Sequence, residues 1–287
     1  MSVHRLPRAL ATIGALVFLS LPLLVASANN REECYRDFRP SSGQPGKDVV
    51  WVPTSDALVD RMLRMAQVKP TDLVYDLGAG DGKIAIAAAR DFGARAVGIE
   101  YNPDMVKLAQ CLTKAEGVQD KVQIIQGDIF ETDFSQATVV TLYLLPDLNL
   151  KLRPTILKMK PGTRVVSHSF LMGDWEPDDR STTDDGYAYF WVVPAQVAGR
   201  WTFRAAGSKE TFNVELEQEF QKVTGTAGDG KRSLVGTSLR GDELQFAFEE
   251  NGSLVRVVAR VDGDRMDAEV TRGGRTQKYV AQRSTRR

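Results

Sequence analysis

Chemistry that needs several cysteines or histidines is closed to this sequence, which has two of each in 287 residues. Cys34, Cys111, His4 and His168 are too few and too scattered for a zinc or iron–sulfur centre, so no metal site is expected. Cys111 falls in a helical run beside Leu108 and Leu112 and reads as a small core side chain rather than a disulfide partner of Cys34. A charge of one sign is lacking too, since 37 Lys and Arg balance 37 Asp and Glu. Without a basic excess no global attraction draws in a polyanion, and nucleic acid is not an expected partner.

What is present begins with an unusual N-terminus. Arg5 and Arg8 precede a charge-free stretch, Ala9 to Ala28, that ends in Ala-Ser-Ala before Asn29. That is the layout of a secretory signal, and its length also suits a membrane anchor. Residues 1–28 are therefore expected to export the chain or hold it at a membrane. The side of the membrane stays open, because Arg31, Arg36, Arg39 and Lys47 follow the apolar segment as Arg5 and Arg8 precede it. Residues 29–48, rich in Pro, Gly and Ser, read as a linker.

From residue 49 to 195 the pattern alternates. An amphipathic helix starts after Thr54 or Ser55 as its cap. Apolar strand-like runs (DLVYDL, ARAVGIE, KVQIIQGD, ATVVTLYLL, TRVVSHSF) then alternate with helical segments at 82–92, 103–116 and 147–159. Nearly continuous apolar strands separated by helices imply a doubly wound parallel sheet of the α/β class, to which YAYFWVVP can add a strand. From 196 to 287 helical periodicity disappears. Short alternating strands separated by Asp229-Gly230, Gly241-Asp242, Asn251-Gly252 and Gly273-Gly274 predict a small antiparallel β barrel or sandwich.

The chemistry gathers around VYDLGAGDGK, residues 74–83, where a buried strand meets a glycine turn and then a helix. Such a unit brings backbone N–H groups close to a ligand. A phosphate-binding P-loop needs four residues between its glycines and Ser or Thr after the Lys, whereas here there are three residues and Ile84. The dinucleotide fingerprint needs a glycine at 83, where Lys83 stands.

Asp-x-Gly-x-Gly-x-Gly instead resembles motif I of the class I S-adenosylmethionine-dependent methyltransferases. The resemblance implies S-adenosylmethionine as cofactor, with Asp76, Gly78, Gly80 and Gly82 at its methionyl and ribose parts. Glu100, ending the second strand, is then placed at the ribose hydroxyls, and Asp128 with Ile129 at the adenine. Residues Trp51 to Trp175 further resemble the membrane-anchored mitochondrial protein-lysine methyltransferases and their bacterial relatives, including the VPT element that adds Thr54 to the expected cofactor residues. That likeness implies a protein lysine as methyl acceptor; a small-molecule acceptor, or a cofactor-binding protein without catalysis, are the alternatives. Aminopropyltransferases share the GAGDG turn, but no acidic polyamine site is visible. YLLP stands where enzymes that methylate nucleic-acid amines carry Asn-Pro-Pro-Tyr. Tyr143 and Asp147, after the fourth strand, and His168, ending the fifth, are the candidates for handling the acceptor. The C-terminal strands are not expected to complete the cofactor site.

Overall fold

The computed structural model describes residues 31–228 and 230–284; the predicted signal or anchor at 1–28, and Asp229 of one predicted turn, lie outside them. Five parallel strands form as expected: β1 (Leu73–Leu77), β2 (Arg95–Glu100), β3 (Val122–Gln126), β4 (Val139–Leu142) and β5 (Arg164–His168). Among the described helices, α1 (Asp56–Met65), α2 (Lys83–Phe92), α3 (Pro103–Ala115) and α4 (Pro146–Ile156) accompany them. Local chemistry sets two of their starts. Ser55, not Thr54, caps α1 by accepting from Leu58 N–H, and Asn102 caps α3 with Pro103 in its first turn.

Strand β7 (Gly186–Val192) joins β5 antiparallel, and β6 (Asp179–Thr183) pairs with β7 at the edge. The sheet order is β3-β2-β1-β4-β5-β7-β6. Strand order reverses between β1 and β4, which opens a crevice at their carboxyl ends, where open α/β sheets bind ligands. One face of the sheet is buried under α1, α2 and α3 through Leu58, Met62, Ala85, Ala88 and Ala109. The other carries Leu152 and Ile156 of α4 with Trp175 and Trp191.

One expectation is overturned. Cys111 is not a plain core residue: it forms a disulfide with Cys34, with 5.7 Å between the Cα atoms. The chain before Pro40 folds back on α3, an encounter across 77 residues that no local periodicity encodes. Of the segment expected as a linker, residues 31–48 are mostly exposed, but Cys34 is buried, Tyr35 and Phe38 pack on the core, and the part from Gln44 onward reaches the ligand crevice.

The second unit is entirely β among its described residues. It comprises β8 (Gly199–Ala205), β9 (Thr211–Glu219), β10 (Lys222–Ala227), β11 (Arg232–Ser233), β12 (Val235–Arg240), β13 (Glu243–Glu250), β14 (Ser253–Asp262), β15 (Arg265–Arg272) and β16 (Arg275–Arg283). Their order, β11-β10-β9-β8-β16-β15-β14-β13-β12, is a meander closed between its first and last strands by β8 against β16. The sheet curls until β10 nears β12, where the Thr237 hydroxyl donates to Val223 O (2.7 Å). Asn251-Gly252 and Gly273-Gly274 both have positive φ at each position, the twist that tight hairpins need. Alternate side chains point inward, and Trp201, Phe203, Phe248 and Tyr279 fill the nearly closed barrel. It touches the first sheet through Phe220, stacked on Trp175, and Gln221, which accepts from the Trp175 indole N–H (3.0 Å).

Candidate active site

Tight turns at the carboxyl ends of β1, β2 and β3 leave a cavity of about 330 Å³, and every residue lining it lies between Gln44 and Phe170. Gly78, Gly80 and the ends of three strands form its floor. Gly80 has φ +56, and a Cβ there would meet the Trp51 indole at 2.6 Å. Only glycine lets the turn pass this close beneath another group. Gly82 serves packing instead. It does not face the cavity, and a Cβ on it would press on Ala109 at 3.1 Å and Ile124 at 3.4 Å. Its bareness seats α2 against α3 and β3.

Asp76 is buried, and its Oδ1 accepts from the Thr141 hydroxyl at 2.6 Å. Burial, with Asp81 and Glu100 close by, pushes its pKa up to about 7. A cationic ligand group would offset that burial by favouring the ionised carboxylate. Glu100 holds the turn in shape: one oxygen accepts from Gly80 N–H (2.8 Å) and the other from Asn102 N–H (2.8 Å). Asp128 accepts from Phe130 N–H (2.9 Å) and from the Lys47 ammonium. Those two contacts, Lys47 first, hold its carboxyl below the usual range. Ile129 lines the cavity beside it.

At the other end stands an aromatic wall. Tyr143 lines the cavity with Leu145, Leu148 and Phe170, and its ring stacks on His168 at 3.6 Å between centroids. Burial raises the phenol pKa, so Tyr143 keeps its proton at neutral pH. His168 is buried behind Tyr143, outside the lining, with Nδ1 3.0 Å from the Thr54 hydroxyl. Burial lowers its pKa to about 4, so the ring is neutral at pH 7 and braces Thr54 and Tyr143. Asp147 is exposed on the first turn of α4 and does not reach the cavity. The helix turns its neighbour Leu148 inward instead.

Among the residues that escaped the sequence reading, two in the lining and one behind it stand out. Lys83 lines the cavity, its ammonium 2.9 Å from Thr54 O. Asp81 lines it as well, its carboxyl pKa raised by burial against the pull of Lys83. Asn149, fully buried, holds the loop that carries Phe170 by donating to Phe170 O (3.3 Å) and Leu171 O (3.2 Å). The acid in GDGK was a visible signal; the inward turn of Asn149 was not.

Comparison with known proteins completes the picture. Residues 76–179 match the family described as ANTKMT methyltransferase domain. A protein of Saccharolobus islandicus named protein-lysine N-methyltransferase is 46% identical over 140 residues, 48% of this chain and 87% of that protein. A human lysine N-methyltransferase, named for the C subunit of ATP synthase, is 28% identical over 172 residues, 60% of this chain and 70% of that protein. A solved structure, titled an RNA methyltransferase from Salinibacter ruber in complex with S-adenosyl-L-homocysteine, is 54% identical with a TM-score of 0.50, covering 51% of this chain and 96% of that one. The chain belongs to the family of these relatives, the S-adenosylmethionine-dependent methyltransferases.

Proposed function

We propose that the protein transfers a methyl group from S-adenosylmethionine to the side-chain amine of a protein lysine. The residues fit the cofactor. Five acids and two lysines line the cavity, a balance suited to a ligand with a sulfonium and an ammonium. Asp76 would take the ammonium, Lys83 and Thr54 the methionyl carboxylate, Glu100 the ribose hydroxyls, and Asp128 with Ile129 the adenine. Gly78 and Gly80 supply the bare backbone beneath it.

When bound, the cofactor supplies a methyl carbon already activated by its sulfonium. The protein has to align an acceptor in line with that carbon and exclude water. An acceptor lysine must also arrive neutral. With an unperturbed pKa of about 10.4, that costs about 4 to 5 kcal/mol at pH 7. The mouth made by Tyr143, Leu145, Leu148 and Phe170 offers an ammonium no carboxylate, which favours the neutral amine. The Tyr143 hydroxyl is left to orient it. His168 acts behind this wall by holding Thr54 and Tyr143 in place.

The observation that carries the reading is this apolar aromatic mouth next to an acid-and-glycine cofactor floor. The name of the archaeal relative supports a lysine acceptor; the Salinibacter title names RNA. A chain without net positive charge favours protein. The test is transfer of labelled methyl from S-adenosylmethionine to extract fractions, with the labelled product hydrolysed. Methyllysine is expected; label in RNA, or in small molecules alone, would overturn the assignment.

For the compartment we read residues 1–28 as a signal or anchor that exports the chain or attaches it to a membrane. The Cys34–Cys111 disulfide supports a non-reducing location. No described helix is long and apolar enough to cross a membrane. N-terminal sequencing of the fractionated protein tests this: a soluble cytosolic chain starting at Met1 would sink it.

A further inference from the structure

The segment ahead of α1 is more organised than its composition announces. Gly43 N–H donates to Trp51 O (2.8 Å), Trp51 N–H to Gln44 O (2.9 Å) and Gly46 N–H to Val49 O (3.0 Å). Residues 43–51 therefore form a closed hairpin that can swing as one piece. Gln44 to Thr54 all line the cavity, so a nucleoside-sized ligand cannot leave past this wall unless the hairpin moves. Apart from Val49, which packs against the core cluster of Leu77, Ile99 and Leu144, it is held to the opposite wall by polar or edge-on contacts. The Lys47 ammonium donates to Asp128 and lies 5.1 Å from the centre of the Tyr101 ring. Gln44 Nε2 approaches Met105 Sδ at 3.7 Å, and the Trp51 indole sits over Gly80.

Both ends of the segment are fixed. Downstream it enters α1 through the Ser55 cap. Upstream Cys34 is bonded to Cys111 of α3, and Arg31 pairs with Glu116 at 2.8 Å. A strap pinned at both ends returns to the same seat each time it opens, because its effective concentration over the cavity stays high. Cutting the upstream pin lowers that concentration.

We propose that residues 43–51 are a lid over the cofactor cavity, latched by Lys47 on Asp128 and tethered by the Cys34–Cys111 disulfide, so that lid opening gates cofactor exchange and reduction of the disulfide speeds it. This rests on the cofactor assignment above. Reduction is a two-electron step: the Sγ–Sγ bond breaks, each cysteine gains a proton, and dithiothreitol loses two thiol protons as it closes into its own cyclic disulfide.

The test follows S-adenosyl-L-homocysteine binding by stopped-flow fluorescence in three samples: the oxidised protein, the protein held in dithiothreitol, and Lys47→Ala with the disulfide intact. A gate predicts that association and dissociation both quicken, by about tenfold in each altered sample, while the equilibrium constant moves less. Circular dichroism confirms that each sample is folded, and Lys47→Ala decides the matter if the reduced protein unfolds. Unchanged rates in the folded samples would overturn the lid. So would faster dissociation with unchanged association, the mark of a lost wall contact rather than a gate. If the oxidised protein binds no S-adenosyl-L-homocysteine at all, the cofactor assignment falls first and the lid with it.

Discussion

The two sheets of this protein use apolar residues to opposite ends. In the first, mixed sheet the parallel strands β1, β2 and β3 end at Leu77, Glu100 and Gln126, and the turns that follow open a cavity lined by acids, glycines and Lys83. In the antiparallel sheet the strands end in tight hairpins, and the interior is closed by Trp201, Phe203, Phe246 and Phe248. The difference is topological. Parallel strands need long crossings, and where two crossings diverge, neighbouring loops separate and leave room for a ligand. A meander returns at once, so its strand ends have no such gap. Chemistry in this chain sits where the topology leaves space, and the barrel braces that half through Phe220 and Gln221.

The largest effect should come from filling the space. Gly80→Val puts a branched side chain at φ +56 and into the Trp51 indole, so S-adenosyl-L-homocysteine affinity should fall more than about a hundredfold while the sheet stays folded. Calorimetric titration beside circular dichroism measures this; near-normal affinity in the folded variant would detach the turn from the cofactor. The converse substitution is Trp201→Ala. Emptying the fully buried Trp201 site should cost about 3 to 5 kcal/mol of barrel stability by denaturant unfolding, with ligand affinity unchanged where the variant is folded. A matching loss of affinity would show that the barrel shapes the cavity directly.

A smaller effect separates the halves by pH. Burial pushes the Asp76 pKa up to about 7, and in the proposed cofactor pose the ligand's ammonium favours the ionised form. Below pH 7 binding must therefore first expel a proton, so affinity should drop by up to about tenfold per pH unit down to pH 5, and level off above 7. Asp76→Asn should flatten that slope. A slope that survives in Asp76→Asn would place the titrating group elsewhere.

The parallel half was largely legible because its rules are local. Strand, glycine turn and helix follow one another within VYDLGAGDGKIAIAAA, and the acids that close the next two strands can be counted from it. What escaped was set by distant contacts or by helix phase. Nothing near Cys34 shows that it meets Cys111, and Pro40, Ser41, Ser42 and Gly43 look like linker although the chain beyond them folds over the cavity. Asp147 and Leu148 are equally plausible cavity residues until the first turn of α4 turns one outward and the other inward. In the barrel the hairpin pairs Asn251-Gly252 and Gly273-Gly274 announced their turns. Strands β8, β12 and β16 are harder to read because Gly, Thr, Ser and Arg dilute their alternation. Their pairing comes from partners far along the chain, as when β8 meets β16.

Hydrogen exchange with and without S-adenosyl-L-homocysteine tests the central claim most directly. The account predicts added protection at residues 76–82, 100–105 and 127–130 and in the hairpin at 43–51, with the barrel strands from Gly199 to Arg283 unchanged. Protection confined to the barrel, or none in the glycine turn of a protein that binds the ligand, would contradict it.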